Sequence, residues 1–396
     1  MMQTMETIKG YFIQNKWIIV FFLMFPFFND GYILFDLLNG PLMDVLKIIS
    51  FLWLFVLFCR NKKQFSRMMI ILLLMEIWWV ISTLFNYSLR EIDVYYKLSI
   101  DIINALSVAL CVELFKDDPD SLLKGLMLNM ELALYPNLVT VFMNYPGERV
   151  YLLGGDTVFI LWLLPAFTIA CLYILFSKKY LRSTVLIVVC LITLLKAWCA
   201  TAIASFLGMF FVLGSGLLLY KKTKVSLAAL LLVSFFINLF ILFVYSGGNF
   251  PLLDFVIEKI LQRSTTFTER TIIWKEAIRM IKEKPFIGHG FRTQINVSNS
   301  FADHFLHSHN QILQRLNATG IIGFLLFFGF HAELCKKTDH IENSLERLIT
   351  IAAVFAISIT YIAEAYIKFF RLYLVFFIAY HIRDMMVKKR NEKGLS

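Results

Sequence analysis

Residues 157–176 read TVFILWLLPAFTIACLYILF, a run without one charged side chain that Ser177-Lys178-Lys179 follows at once. A transmembrane α-helix needs about 20 consecutive apolar residues, so this run is long enough to cross a bilayer. Its apolar residues are continuous and do not alternate with polar ones, which argues against a strand of a transmembrane β-barrel. The run therefore predicts a membrane-spanning helix.

The rest of the chain has the same character. Of 396 residues, 59% are hydrophobic and 17% are charged, and the mean hydropathy is +0.71. This is enough apolar material for about twelve helices of about 20 residues each. The composition excludes a soluble enzyme with one tethering helix. It predicts an all-α polytopic integral membrane protein with a single transmembrane domain over residues 1–396.

Apolar windows between charged and turn-forming residues give about twelve predicted spans. They cover residues 17–35, 42–58, 68–85, 98–115, 122–143, 157–176, 181–195, 197–220, 225–245, 311–330, 345–361 and 365–387.

Basic residues collect in alternate loops between these spans. Lysine and arginine number 38 against 28 aspartates and glutamates, and cytoplasmic loops are the ones that carry such an excess. The pattern predicts that both termini are cytoplasmic, and it leaves no reason to expect a nucleic-acid partner. The basic clusters are Arg60 to Arg67, Lys178-Lys179, Lys221-Lys222, Lys336-Lys337 and Lys388-Lys389-Arg390.

One long loop, residues 246–310, falls on the extracytoplasmic side of this prediction. Thr266 and Glu269 have the spacing of a capping box, and Pro285 ends the run that follows. The segment between them predicts an amphipathic helix. We expect the loop of residues 246–310 to form a catalytic lid over a cavity at the outer leaflet. One face of the helix carries Arg270, Trp274, Ala277 and Ile281, and another carries Lys275, Arg279 and Lys282.

Polar residues gather at the end of this loop in the stretch Asp303-His304-Phe305-Leu306-His307-Ser308-His309-Asn310. Solvated loop histidines are one interpretation. A metal cluster of Asp303, His304, His307 and His309 is another, but its spacing fits no standard zinc pattern, so we predict no metal. A third interpretation is a catalytic site.

Gly288-His289-Gly290 is a candidate for a phosphate-binding loop, but the pattern is incomplete. Thr293 stands where the third glycine would be, no buried strand precedes the segment, and no Gly-Lys-Ser follows. The glycines predict a tight turn, and no cofactor is expected.

The order of these motifs is more specific than any one of them. Arg270-x3-Trp274, Pro285-x2-Gly288-x-Gly290, His309-Asn310 and, nine residues later, Gly320-x2-Gly323 resemble the signature loop of the O-antigen polymerase and ligase superfamily. The stretch from Arg149 to Asp156 also looks like the family pattern, so the resemblance covers residues 149–323. It implies a fold like the C-type glycosyltransferases and residence in the bacterial cytoplasmic (inner) membrane.

The resemblance implies transfer of a glycan from undecaprenyl diphosphate. Such a site must neutralise the departing diphosphate, and arginine suits this task because it binds phosphate oxygens in a bidentate manner. Arg270 is the first candidate, followed by Arg149 and Arg292. A histidine suits deprotonation of the acceptor hydroxyl, and His309 stands at the family position. The further expected binding residues are Lys196, Asn310, Trp274 and Arg371.

Lys196 marks a departure from the family. A serine-arginine pair is frequent where this chain has Lys196-Ala197-Trp198. Lysine lacks the planar fork of arginine and is not an equivalent phosphate ligand.

The first expected function is polymerisation of lipid-linked repeat units into capsular polysaccharide, exopolysaccharide or O-antigen at the outer leaflet. A ligase that hands finished glycan to another acceptor is an alternative, and so is a flippase or other transporter of lipid-linked oligosaccharide. Transporters of this size commonly contain two related halves, and no repeat is visible here. The expected partners are lipid-linked glycans and the bilayer, together with a chain-length regulator and a flippase.

Four acidic residues lie inside predicted spans, where a charge is costly. They either line a cavity or cation path or form hydrogen bonds between helices. They are Glu76, Asp101, Glu113 and Glu131.

Overall fold

The computed structural model describes residues 15–28, 40–143, 150–219, 224–247, 266–291, 307–365 and 370–392. This part of the chain forms thirteen α-helices and one small hairpin. The helices are α1 (Lys16–Phe28), α2 (Gly40–Arg60), α3 (Arg67–Asn86), α4 (Ile92–Phe115), α5 (Pro119–Met143), α6 (Ile160–Ser177), α7 (Tyr180–Ala197), α8 (Ala200–Leu218), α9 (Leu227–Gly247), α10 (Thr266–Glu283), α11 (Gln311–Asp339), α12 (Leu345–Thr360) and α13 (Arg371–Glu392).

Among the described residues, eight helices are long and apolar enough to cross a membrane: α2 to α8 and α11. Two shorter apolar helices join them, α1 and residues Leu227–Phe243 of α9. Every predicted span overlaps a helix of the structure. The predicted all-α polytopic fold is therefore confirmed.

The centre of the bundle is α6, most of whose side chains are buried from end to end. It packs against α5, α7, α12 and α13. The quoted run of apolar residues is thus surrounded mainly by other helices. Large apolar side chains on α2, α8 and α9 are instead exposed, as expected of surfaces that face lipid.

Two of the four acidic residues inside spans have clear partners on neighbouring helices. Glu131 of α5 accepts a hydrogen bond from Nε of Arg182 at 2.6 Å, and an oxygen of Glu113 lies 3.0 Å from Nε2 of His381. Pairing between helices, one of the two interpretations, therefore accounts for this pair.

The hairpin lies just before α6. Its strands are β1 (Val150–Tyr151) and β2 (Gly154–Gly155), which pair antiparallel, and a short 3₁₀ turn leads into α6. The backbone N–H of Leu153 donates to Oδ1 of Asn137 at 3.0 Å, so the hairpin is attached to α5. Arg149, which precedes it, lies outside the described residues.

The amphipathic helix predicted in the long loop is α10, and it begins and ends close to the predicted limits. Trp274 and Ala277 are buried against α9 and α11, whereas Lys275, Arg279 and Lys282 are exposed. On the exposed face, Nε of Arg279 donates to Glu276 at 3.0 Å, and this contact lowers the pKa of that carboxyl.

The end of α11 is fixed to α9 through Asp339. Its carboxylate accepts from the N–H groups of Leu227 and Ala228 at 2.8 and 3.0 Å, so it caps the first turn of α9. The buried Arg347 lies 3.2 Å from Asp339 and donates to the carbonyl of Val225 at 2.7 Å. Helices α9 and α11 are therefore attached to one another at this end of the bundle.

Candidate functional site

Asn310 begins α11 as its N-cap residue. Its Oδ1 accepts from the N–H groups of Ile312 and Leu313 at 3.0 and 3.1 Å. Its Nδ2 donates to Oδ1 of Asn238 on α9 at 2.7 Å, and the residue is fully buried. A cap of this kind satisfies backbone donors that the helix leaves free. The structure thus places the predicted binding residue Asn310 in the scaffold, with its amide already bonded on both sides.

His309 lies immediately before this cap and faces Glu364. Its Nδ1 is 3.4 Å from Oε2 of Glu364, and the imidazole is 27% exposed while the carboxylate is 8% exposed. His309 has a φ of 47°, in the left-handed region that few residues other than glycine adopt. The predicted base is therefore half-buried and points one ring nitrogen at a carboxylate.

His307 completes a three-residue cluster with this pair. The ring centroids of His307 and His309 are 4.0 Å apart, and the backbone N–H of His309 donates to Nδ1 of His307 at 3.3 Å. One ligand atom from each of His307, His309 and Glu364 lies within 4.8 Å of the others. Among the described residues this is the group of side chains that fits a metal ion.

Glu364 comes from the segment after α12 rather than from α13. The backbone N–H of Gln311 donates to the carbonyl of Tyr361 at 2.9 Å, and that of Glu364 donates to Thr360 at 2.9 Å. These bonds hold the loop against the start of α11. Arg371 is the first residue of α13, so Glu364 and Arg371 do not lie on one helix.

Trp274 attaches α10 to the segment that carries both histidines. Its Nε1 donates to the carbonyl of Ser308 at 3.0 Å, and the indole is 1% exposed. The N–H of Ser308 in turn donates to Oε1 of Gln314 at 3.0 Å. Trp274 therefore holds this segment in place, and its predicted role in substrate binding stays a prediction.

Arg270 lies one helical turn before Trp274 in α10. Four residues correspond to about 6 Å along a helix axis. The backbone of α10 therefore carries Arg270 to within about one turn of the contact between Trp274 and Ser308. The structure describes only the backbone of Arg270, and Arg292 lies outside the described residues.

The motif glycines bring two backbones into contact. The N–H groups of His289 and Gly290 donate to the carbonyls of Asn317 and Ala318 at 2.8 and 2.9 Å. Gly320, with φ of 62° and ψ of −168°, interrupts the helical geometry of α11 at this place. A Cβ on Gly288 would lie 2.5 Å from the N of Gly320, and one on Gly320 would lie 2.3 Å from the carbonyl carbon of Phe286. Gly288 and Gly290 thus lie at a turn, as the sequence predicted, and they allow close approach to the backbone of α11.

Arg371 and Lys196 both lie over aromatic rings. The guanidinium carbon of Arg371 is 3.8 Å from the ring centre of Trp162, and the residue is 7% exposed. The amine of Lys196 is 5.3 Å from the ring centre of Phe142 and is exposed. These cation–π contacts hold the two side chains at the bundle. Their predicted roles in substrate binding stay predictions.

Arg315 is a buried cation that the sequence reasoning missed. It lies in the second turn of α11, is 4% exposed, and donates from Nη2 to the hydroxyl of Tyr373 at 3.2 Å. Its guanidinium carbon is 5.0 Å from the ring centre of Phe327, and Glu76 of α3 lies within its electrostatic reach. The sequence did contain a signal for this residue. Arg315 lies inside the predicted span of residues 311–330, and an arginine inside a span is rarely without a role.

A cavity of about 380 Å³ runs between α9 and α11. Its wall is largely apolar, with Leu231, Phe235 and Phe328 among the lining residues. Asn238, Ile312 and Tyr361 line it near the start of α11, and Lys336 and Asp339 line it near the end of that helix. The cavity therefore follows α11 from the neighbourhood of the His309 cluster through the thickness of the bundle.

Comparison with known proteins agrees with the motif pattern. Residues 185–328 match the model of a family described as O-Antigen ligase. The chain is 29% identical over 136 residues to a protein of Rickettsia felis named "Putative polysaccharide ligase", and 39% identical over 75 residues to an O-antigen ligase of Pseudomonas aeruginosa. These alignments cover 32% and 19% of this chain, and 30% and 18% of the relatives.

The matched segment runs from α7 into α11 and includes α10, His309 and the kink at Gly320. Both relatives are named as ligases. Their names therefore do not support the polymerase function that was expected first, and they agree better with the ligase alternative. The predicted family resemblance is confirmed. The ordered motifs and the matched segment show that the chain is similar to the O-antigen ligase family over residues 185–328.

Proposed function

We propose that this protein is a membrane glycosyltransferase of the O-antigen ligase type, which moves a glycan from undecaprenyl diphosphate to an acceptor hydroxyl. The observation that carries the proposal is the contact between Nδ1 of His309 and Oε2 of Glu364 at 3.4 Å. His309 lies inside the segment that matches the ligase family, and Glu364 follows that segment in the chain. A histidine oriented by a carboxylate is the arrangement that a general base needs.

The reaction requires one bond to form and one to break. The acceptor oxygen bonds to the anomeric carbon of the donor sugar while the bond from that carbon to the diphosphate oxygen breaks. The hydroxyl proton passes to Nε2 of His309, and Glu364 stabilises the imidazolium that results. The diphosphate leaves with the bonding electron pair. The donor carries its own activation, so the chain needs no nucleotide site.

Arg270 serves the departing diphosphate in this proposal. The first N–H groups of α11 cannot do so, because Gln311, Ile312 and Leu313 already donate to Tyr361 and Asn310. The N-terminal part of α10 remains, with its positive dipole and the fixed charge of arginine. Arg149 and Arg292 are the further candidates from the sequence.

The apolar cavity between α9 and α11 suits the isoprenoid of the lipid carrier. Binding there would keep the hydrocarbon among apolar side chains and place the diphosphate near the start of α11. Any glycan carried on an isoprenoid diphosphate shares this chemistry. The names of the two relatives favour an acceptor other than a second lipid-linked unit.

The test uses purified protein in lipid nanodiscs with a lipid-linked oligosaccharide donor. Two acceptors are offered separately, a lipid A core oligosaccharide and a second lipid-linked unit. We expect transfer to the first, with His309→Ala slower by roughly 100- to 10,000-fold. Glu364→Gln should show a smaller loss because the imidazole remains.

Arg279→Ala is the control, since Arg279 is exposed on α10 and does not line the cavity. Equal rates for wild type and His309→Ala at matched protein levels would exclude His309 as the base. Ladders of polymer on the second acceptor alone would return the protein to the polymerase class.

A further inference from the structure

We infer that His307, His309 and Glu364 form a binding site for Zn²⁺, and that the bound ion blocks glycan transfer. Zn²⁺ binding is inferred from the geometry of the cluster. Inhibition of transfer rests on the function proposed above. This is a site for an inhibitory ion and not for a cofactor of the reaction.

The spacing of the cluster suits a tetrahedral metal. With metal–nitrogen and metal–oxygen bonds of about 2.0 to 2.1 Å, two ligand atoms of a tetrahedral zinc site lie about 3.3 to 3.4 Å apart. Nδ1 of His309 and Oε2 of Glu364 are 3.4 Å apart. A ligand atom of His307 lies within 4.8 Å of both, so this imidazole must move towards the pair when an ion binds.

The segment that carries the two histidines is already held in place. Ser308, which separates them, accepts from Nε1 of Trp274 at its carbonyl and donates from its N–H to Gln314. The next residue, Asn310, is the buried cap of α11. Glu364 is held by its own backbone bond to Thr360. Ligands supplied by fixed backbone lose little conformational freedom when an ion binds.

The donor set selects the class of ion. Two imidazoles and one carboxylate suit zinc and similar transition metals, whereas magnesium and calcium prefer oxygen ligands. Three protein ligands also leave one position for water or substrate. His309 is 27% exposed, so the cluster is open on one side for an ion to enter.

Binding of Zn²⁺ at this site prevents His309 from acting as the general base. A histidine that binds zinc through one ring nitrogen generally carries a proton on the other. If Nδ1 of His309 faces the ion beside Glu364, its Nε2 becomes a donor and can no longer accept the acceptor's proton. The ion also neutralises the Glu364 carboxylate that would stabilise the imidazolium. Transfer must stop for as long as the ion remains.

The first experiment measures binding without any substrate. Full-length protein in nanodiscs is stripped with EDTA, dialysed, and titrated with Zn²⁺ by calorimetry and with Co²⁺ by visible absorption. We expect one ion per chain in wild type. His307→Gln, His309→Gln and Glu364→Gln should each weaken binding by at least about 10- to 100-fold, the loss known for outer-shell partners alone. These variants keep the side-chain size, and thermal unfolding checks their folding.

His340→Gln is the matched control and should bind as wild type does. Binding in His307→Gln or Glu364→Gln that equals wild type would overturn the site. So would the absence of binding in folded wild type at micromolar Zn²⁺.

The second experiment measures transfer with and without Zn²⁺, each variant against its own metal-free rate. We expect strong inhibition of wild type that EDTA reverses, and little inhibition of His307→Gln. A filled site with an unchanged rate would overturn the inhibitory role. No transfer by metal-free wild type would instead reject the proposed function, and the binding titration would still decide the site.

Discussion

At the scale of single residues, His309 adopts a backbone conformation that needs support. A residue other than glycine at φ of 47° costs about 1 to 3 kcal/mol, and such a conformation persists only where its surroundings fix it. Here the surroundings do so, because Asn310 is bonded to α9 and α11 and Ser308 is bonded to Trp274. The conformation turns the imidazole towards Glu364. Strain of this kind, kept beside a polar cluster, is typical of functional sites.

Substitutions of Arg270 can distinguish the need for a positive charge from the need for a bidentate contact with the diphosphate. We expect Arg270→Ala to nearly abolish transfer, because the departing diphosphate loses a permanent positive charge. Arg270→Lys should recover little, since an ammonium group cannot make the bidentate contact. Initial rates with a lipid-linked donor at saturating acceptor measure this. Arg279→Ala, on the exposed face of α10, is the control, and a Lys variant as fast as wild type would contradict the bidentate role.

The cluster of His307, His309 and Glu364 gives a prediction about the metal dependence of transfer. The transfer reaction itself should need no divalent metal, because the proposed step uses only His309, Glu364 and arginine. We expect activity to persist in excess EDTA and to fall when Zn²⁺ is added. Loss of activity on chelation, with recovery on addition of zinc or manganese, would make the cluster a catalytic metal site.

At the scale of elements, α11 consists of two helical pieces joined at Gly320. The sequence predicts one continuous span over residues 311–330, and the structure breaks it where the loop of Gly288 and Gly290 meets it. Close approach of two backbones explains the glycines better than any contact with a ligand. The first piece of α11, with Asn310 at its start, is thereby fixed in direction.

This arrangement gives a prediction with an internal control. Gly320→Ala should destabilise the protein by about 2 kcal/mol or more, because alanine disfavours positive φ and its Cβ would meet the backbone at Phe286. Gly329→Ala, in the same helix, should be neutral or slightly stabilising, since nothing lies within 4 Å of the added atom. Thermal unfolding in detergent measures both. Equal midpoints for the two variants would contradict the close approach.

At the scale of the whole molecule, the bundle places polar chemistry at one end of an apolar scaffold. Residues from α10, α11 and the loop after α12 meet at the start of α11, while Asp339 and Arg347 hold the opposite end together. The cavity between α9 and α11 extends between the two ends. An enzyme that acts on a membrane lipid needs both parts, a polar site and an apolar groove.

The orientation of this bundle is still a prediction from loop charge. Both termini should be cytoplasmic and residues 246–310 should be extracytoplasmic. A single cysteine at Asn296, with the six native cysteines replaced, should react with a membrane-impermeant thiol reagent on intact spheroplasts. A cysteine at Lys388 should react only after lysis. The reverse pattern would invert the topology.

The sequence determined the class of fold, because apolar runs of membrane-spanning length have one stable form in lipid, the helix. It also predicted the family resemblance, through the order of its motifs, and the limits of α10, through periodicity and Pro285. Roles were harder to predict. Trp274 and Asn310 were expected to bind substrate, and the structure shows both bonded within the scaffold.

Only the tertiary structure brought Glu364 to His309, across 55 positions of chain, and placed His307 beside them. The pairing depends on the backbone bond between Gln311 and Tyr361 and on the point at which α13 begins. No local pattern encodes either feature. Side-chain periodicity reports which face of a helix is apolar. The polar groups that meet at the ends of helices are decided by how the helices pack.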